Sequence, residues 1–204
     1  MASKNKKASH NKGQRGMSIA KKSVICAACV ALCVVLPMGF HAFPRGGEIW
    51  DPMWFPVMIC ALSSGWWYGL ICGVLGPLFS TLVTGMPPMY DLPTMIIQGL
   101  FLGVFCGLMM LWVHTHSTYG DLYISIVVGI IIGSAAAGCA KAWIFDSGKY
   151  SFYAWILGYF FFCLPGLIIQ LAIVPSIVVA LMKGKLIPER YPSKHKEKQV
   201  EAQQ

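Results

Sequence analysis

The sequence predicts an all-α integral membrane protein: a six-transmembrane-helix bundle with both termini cytoplasmic. Three observations carry that expectation. Apolar residues make up 56% of the 204-residue chain and charged residues 12%, against the roughly one-quarter charged residues usual in soluble domains. The charge is also segregated. Thirteen of the sixteen Lys and Arg residues fall in Met1–Lys22 and Lys183–Gln204, and the 160 residues between hold only three basic and five acidic side chains. A span needs roughly 20 apolar residues, so this stretch has room for about six. Finally, basic flanks stay on the cytoplasmic side, and two basic tails on one side require an even number of crossings. The organisation read from this is a basic tail over 1–22, a membrane domain over 23–182 and a basic tail over 183–204, with no soluble domain.

Ser23–Phe40 is the first span. Its basic lead and apolar run resemble a signal peptide, but no small-x-small cleavage site precedes the break at Pro37–Met38 and further spans follow, so it is read as retained. Pro52–Thr84 is either two short helices meeting near Ser63–Trp67 or a re-entrant hairpin, because a single helix would break the parity. Met95–Val113, Leu122–Trp143 and Phe152–Met182 are plain apolar runs. Small residues recur at four-residue intervals within the spans: Gly65, Gly69 and Gly73; Gly99, Gly103 and Gly107; Gly129, Gly133 and Ala137. Each series marks a helix face where backbones approach closely. Ala27 and Ala31 form a similar pair on the first helix and are candidates for contact with another protein.

Several function classes are excluded. The net charge of +8 resides in the tails and the core carries −2, so the basicity serves topology and the anionic inner leaflet; membrane lipid is the expected partner and nucleic acid is not. The eight cysteines lie within apolar runs. Cys26, Cys29 and Cys33 share a helical face, but buried Cys behaves as a small hydrophobe, so neither metal nor cofactor is expected. There is no GxxxxGK[ST] loop, no HExxH and no GxSxG, so no catalytic residue is assigned. One alternative is a polytopic membrane enzyme using His114, His116 and Asp121 in the turn HTHSTYGD. Another is a membrane scaffold protein.

The breaks between spans are unusual. His41–Pro56, HAFPRGGEIWDPMWFP, and Ser80–Tyr90, STLVTGMPPMY, are rich in Gly, Pro, Met and aromatic residues where short polar turns would suffice. Gln98 and Gln170 lie within apolar helices, where polar groups are costly. The topology gathers charged and aromatic residues on the outer side, part of them an interfacial belt. The rest suit the wall of a small-molecule pocket, which needs apolar and aromatic surfaces with a few placed polar groups. The candidate binding residues are Arg45, Glu48, Trp50, Trp54, Met86, Tyr90, Gln98, Lys141 and Tyr150, with Arg45 and Lys141 available to an anionic group on the solute.

The segments LPMGFH at Leu36–His41, GGEIWDPMWFPVM at Gly46–Met58, GVLGPLFSTLVTGMPPMY at Gly73–Tyr90 and LPGLIIQLAIVPSIV at Leu164–Val178 together resemble the substrate-binding S-component of energy-coupling factor (ECF) vitamin transporters. The resemblance runs from about Ala27 to Lys183. It implies a six-helix bundle in the cell membrane whose outer loops, after the first, third and fifth helices, close over a vitamin-like solute. It also implies docking through Ala27 and Ala31 onto a T-component coupled to two cytoplasmic ATPase subunits, which explains the missing phosphate loop. Relatives often carry His at the position of Trp54 and an acidic residue at that of Gln98, so substrate identity does not carry over.

The six-crossing topology makes a direct prediction. Membrane-impermeant thiol reagents applied to intact cells, in a background without reactive native thiols, should label cysteines placed at Gly47, Pro88 and Ser147 but not at Ser117. Labelling of the Ser117 variant from outside would overturn it.

Overall fold

The computed structural model describes residues 17–40, 50–142, 161 and 163–188. Among them six helices follow in order: α1 Ile19–Phe40, α2 Trp54–Ser64, α3 Trp66–Thr84, α4 Leu92–Trp112, α5 Thr118–Ala140 and α6 Leu164–Lys183. All but α2 are long and apolar enough to cross a membrane. The segment Pro52–Thr84 is indeed two helices, and they meet at Gly65, whose φ of 103° favours glycine. With 11 residues, α2 rises only about 16 Å, roughly half of a ~30 Å hydrocarbon core.

Local chemistry sets the helix ends. The first helix starts at Ile19, ahead of the expected Ser23, because the Ser18 hydroxyl oxygen accepts from the Lys21 amide at 3.3 Å, satisfying one of the free donors of a first turn. Proline near the first helical position opens both α4, at Pro93, and α6, at Pro165, where its missing N–H costs nothing and its φ is already helical. The sixth helix therefore starts at Leu164 among the described residues; residues 152–160 and 162, the first third of the expected run Phe152–Met182, lie outside them.

Glycine contacts fix how the helices stack. A Cβ on Gly73 would run into the carbonyl oxygen of Gly99, one on Gly103 into that of Gly69, and one on Gly69 would lie 2.6 Å from the carbonyl oxygen of Gly103. Gly107 in turn faces the backbone of Trp66. Ascending α3 against descending numbers on α4 makes the pair antiparallel, with the two backbones in contact over about two turns. Gly129 and Gly133 seat α5 on Cys106, Leu102 and the Gln98 carbonyl in the same way. On the opposite side α1 runs parallel to α3. The Cys26 thiol reaches the Tyr68 carbonyl, and the Cys33 thiol lies over Gly76 while donating to the Met53 carbonyl at 3.5 Å. The short α2 packs on α1, α3, α4 and α6, and Val57, Met58, Cys60 and Ala61 are all fully buried. It is the centre of the bundle.

We call the end carrying residues 85–91 the upper end and that carrying residues 113–117 the lower end. At the lower end Asp121, fully buried in the first turn of α5, accepts from the Thr115 amide at 2.7 Å and from the Thr115 hydroxyl. This folds the 113–117 loop back onto α5. At the upper end, buried Ser80 and Thr81 donate to the carbonyls of Met86 and Pro87 at 2.8 and 3.0 Å.

Gly73→Ala and Gly103→Ala should each destabilise the detergent-solubilised protein by roughly 1–3 kcal/mol, as overpacking does. Gly39→Ala, whose added carbon meets nothing within 4 Å, should leave the unfolding midpoint unchanged. Equal midpoints for all three variants would contradict the backbone-contact packing.

Candidate functional site

Water is absent from the hydrocarbon core, so buried polar side chains there must find partners in the protein or serve a purpose. Four of them, from four helices, share one level. Trp54 opens α2, Gln98 is the seventh residue of α4, Ser134 the seventh from the end of α5, and Gln170 the seventh residue of α6. At about 1.5 Å per residue the last three each lie roughly 9 Å in from a helix end. All four are buried. Together with Leu102 and Ile130 they line a narrow crevice, nowhere wide enough for a water molecule.

Two features of the chain create this level. Trp54 fits because Gly99 has no side chain: a Cβ there would lie 2.9 Å from Cζ3 of the indole. The six-membered edge of the ring rests on α4, leaving Nε1 on the opposite side. Residues 51–53, directly above α2, are not helical. Asp51 has a φ of 44°, and Pro52 restricts the residue before it away from the helical region. Irregular backbone at this depth needs internal hydrogen bonds, and the Asp51 carbonyl accepts from Gln170 Nε2 at 3.2 Å and from the Trp54 amide at 3.4 Å. Gln170 thus ties α6 to the start of α2.

Not every polar atom of the level is satisfied. Trp54 Nε1 and Ser134 Oγ are buried without a hydrogen-bond partner, an arrangement that costs about 1–3 kcal/mol for each group. The only other such atom among the described residues is Ser64 Oγ, at the far end of α2.

Of the residues expected to bind solute, Trp54 and Gln98 meet in this crevice. Trp50 is half-buried. Met86 and Tyr90 sit on the upper loop with 51% and 77% of their surface exposed, above a base that Ser80, Thr81 and Thr84 pin down through the backbone of Met86 and Pro87. Lys141 is not in the crevice. It pairs with Asp91 at 2.9 Å, bracing the end of α5 against the start of α4. Arg45, Glu48 and Tyr150 lie outside the described residues. Ala27 and Ala31 are exposed on α1, turned away from the face that buries Cys26, Cys29 and Cys33.

Ser134, Leu102 and Ile130 are additions the sequence reading missed, and Gln170 was noted only as a costly polar residue. Ser134 sits beside Gly133 in GSAAAG, where a helix-packing pattern hides it. The signal was positional, since Gln98, Ser134 and Gln170 stand equally far from helix ends. His114 and Asp121 are engaged elsewhere: His114 Nδ1 lies 2.8 Å from the Trp112 carbonyl, and Asp121 holds Thr115. Among the described residues no group of three or more His, Cys, Asp or Glu is placed to hold a metal ion.

A protein-family model described as "ECF transporter, substrate-specific component" matches residues 21–178, reaching from the first turn of α1 into the last turns of α6. No curated protein and no solved structure matches the chain.

The unsatisfied atoms predict an inverted stability response. Ser134→Ala removes a buried hydroxyl that has no partner, so it should leave the unfolding midpoint in detergent unchanged or raise it, by up to about 1 kcal/mol in stability. Gln170→Leu strips a partner from the Asp51 carbonyl and should cost about 1–3 kcal/mol. The reverse order would show that Ser134 is satisfied and Gln170 dispensable.

Proposed function

This chain belongs to the substrate-specific components of ECF transporters, and on that premise we propose that it captures a vitamin or related micronutrient outside the cell and delivers it inward. It is a multi-pass membrane protein with five helices long enough to span among the described residues; in our reading it makes six crossings of the cell membrane, both tails are cytoplasmic and the upper end faces outward. The single observation that carries the capture role is the level of buried polar side chains beneath the upper loop, with two hydrogen-bonding atoms left over. A bundle that only had to sit in lipid, or to scaffold other proteins, has no use for polar groups that weaken it.

Capture begins at the loops 43–51, 85–91 and 146–151, which act as a lid. The crevice is closed to water in its present form, so solute must part the upper ends of the helices as the lid opens. Trp50 and Tyr90 cover the solute from above, while Trp54, Gln98, Ser134 and Gln170 meet it from below. Binding energy from these contacts orders the lid. Energy for release comes from elsewhere, since the chain has no phosphate-binding loop. Ala27 and Ala31 offer a shallow exposed strip on α1 for a T-component, whose two ATPase partners drive the inward step. The family is one of transport subunits rather than enzymes, and Asp121 is committed to folding its own loop, so the membrane-enzyme alternative falls.

Solute affinity of the purified chain tests the capture role: Trp50→Ala and Tyr90→Ala should each weaken binding by about 1–3 kcal/mol if the rings bury against solute. Unchanged affinity in both folded variants would move the site away from the lid. For coupling, Ala27→Trp with Ala31→Trp should abolish co-purification with a T-component, because bulky side chains prevent close helix approach. An undiminished complex would remove α1 from the interface.

A further inference from the structure

We propose that the part of the solute reaching the buried level is electrically neutral and presents hydrogen-bond acceptors, as an uncharged heterocycle or amide does. The inference rests on the capture reading and specifies its chemistry. Four of the six lining side chains are polar, and none is ionisable: an indole, two amides and a hydroxyl, with Leu102 and Ile130 completing the wall. The two groups without partners are Trp54 Nε1, which can only donate, and Ser134 Oγ, which can donate or accept. What satisfies both at once is an acceptor atom, or two adjacent ones, between α2 and α5.

Charge is disfavoured from both directions. The charged side chains of the upper half, among the described residues, are Asp51, Asp91 and Lys141, and the last two are paired with each other. Lys141 stands seven residues beyond Ser134 on the same helix path, roughly 10 Å further out, so it cannot neutralise an anion at the level. Asp51 contributes its carbonyl from the adjoining turn. The uncapped start of α2 at Met53–Trp54 carries a partial positive charge. Such a dipole end is worth up to ~2 kcal/mol, short of the several kcal/mol needed to take a carboxylate out of water. That same partial charge, with a donor-only indole beside it, works against a cation. A neutral acceptor meets none of these penalties and gains from the donor-only indole and the uncapped start of α2.

The test uses the full chain purified in detergent from cells grown in rich medium. Small molecules released by solvent are identified by mass spectrometry. Affinity for each is then measured by isothermal titration on the wild type, Trp54→Phe and Ser134→Ala, and thermal unfolding confirms that the variants fold. The inference expects a retained compound neutral at pH 7 in its ring or amide portion, bound about ten-fold more weakly by Trp54→Phe and three- to ten-fold more weakly by Ser134→Ala. A retained compound whose charged group is required for binding, and whose affinity falls in both variants, overturns neutrality while leaving the capture reading intact. A compound bound equally by all three proteins overturns the assignment of the level. Failure to retain any compound above an empty-detergent control, together with no stabilisation by nicotinamide, nicotinate, lumichrome or thiamine as neutral, anionic and cationic probes, overturns the capture reading and this inference with it.

Discussion

The packing depends on one residue that has no side chain. Gly99 lets the Gly73 carbonyl approach α4 on one side and seats the Trp54 ring on the other. Any Cβ there would push α3 away and expel the indole that opens α2. Without lipid-driven hydrophobic attraction between helices, contact of this kind is what holds a membrane bundle together. The spacing of α3, α4 and α2 therefore comes from backbone approach, and the level containing Gln98 is set by the next residue along.

The shortness of α2 follows from the same geometry. A full-length second span would place helical backbone where Asp51 and Pro52 now run, and would fill the space above Trp54. Ending the helix early exposes a carbonyl at depth, which Gln170 satisfies from α6. Interrupted helices are where membrane transporters place their solutes, since irregular backbone is tolerated only inside protein or around a cavity. Ligand satisfaction of Trp54 Nε1 and Ser134 Oγ would convert two destabilising groups into binding energy.

Much of this was legible in the sequence because lipid imposes simple rules. The apolar runs located the helix boundaries to within a few residues, the start of the last one excepted, and the Gly65, Gly69, Gly73 and Gly99, Gly103, Gly107 series are the two faces that meet. Parity excluded a single helix over Pro52–Thr84 but left two helices and a re-entrant hairpin open. What stayed hidden was three-dimensional. Lys141 looked available to a solute, but only the antiparallel register of α4 and α5 brings Asp91 to it. Ser134 looked like helix-packing filler because serine and alanine serve equally well at small-residue positions. Trp54 and Gln98 were recognised as polar candidates, yet that they share a level with Gln170 required knowing where each helix begins. Arg45, Glu48 and Tyr150 fall outside the described residues and remain expectations from the outer-side pattern.

The central claim is that solute is held at the level of Trp54, Gln98, Ser134 and Gln170, beneath a lid formed by the upper loops. A cryo-electron microscopy structure of the full chain with its retained solute tests it most directly. The account predicts density between α2, α4, α5 and α6, with an acceptor atom within hydrogen-bond distance of Trp54 Nε1 and the crevice widened around it. Solute density confined above Tyr90 and the Lys141–Asp91 pair, with the crevice still closed, would contradict it.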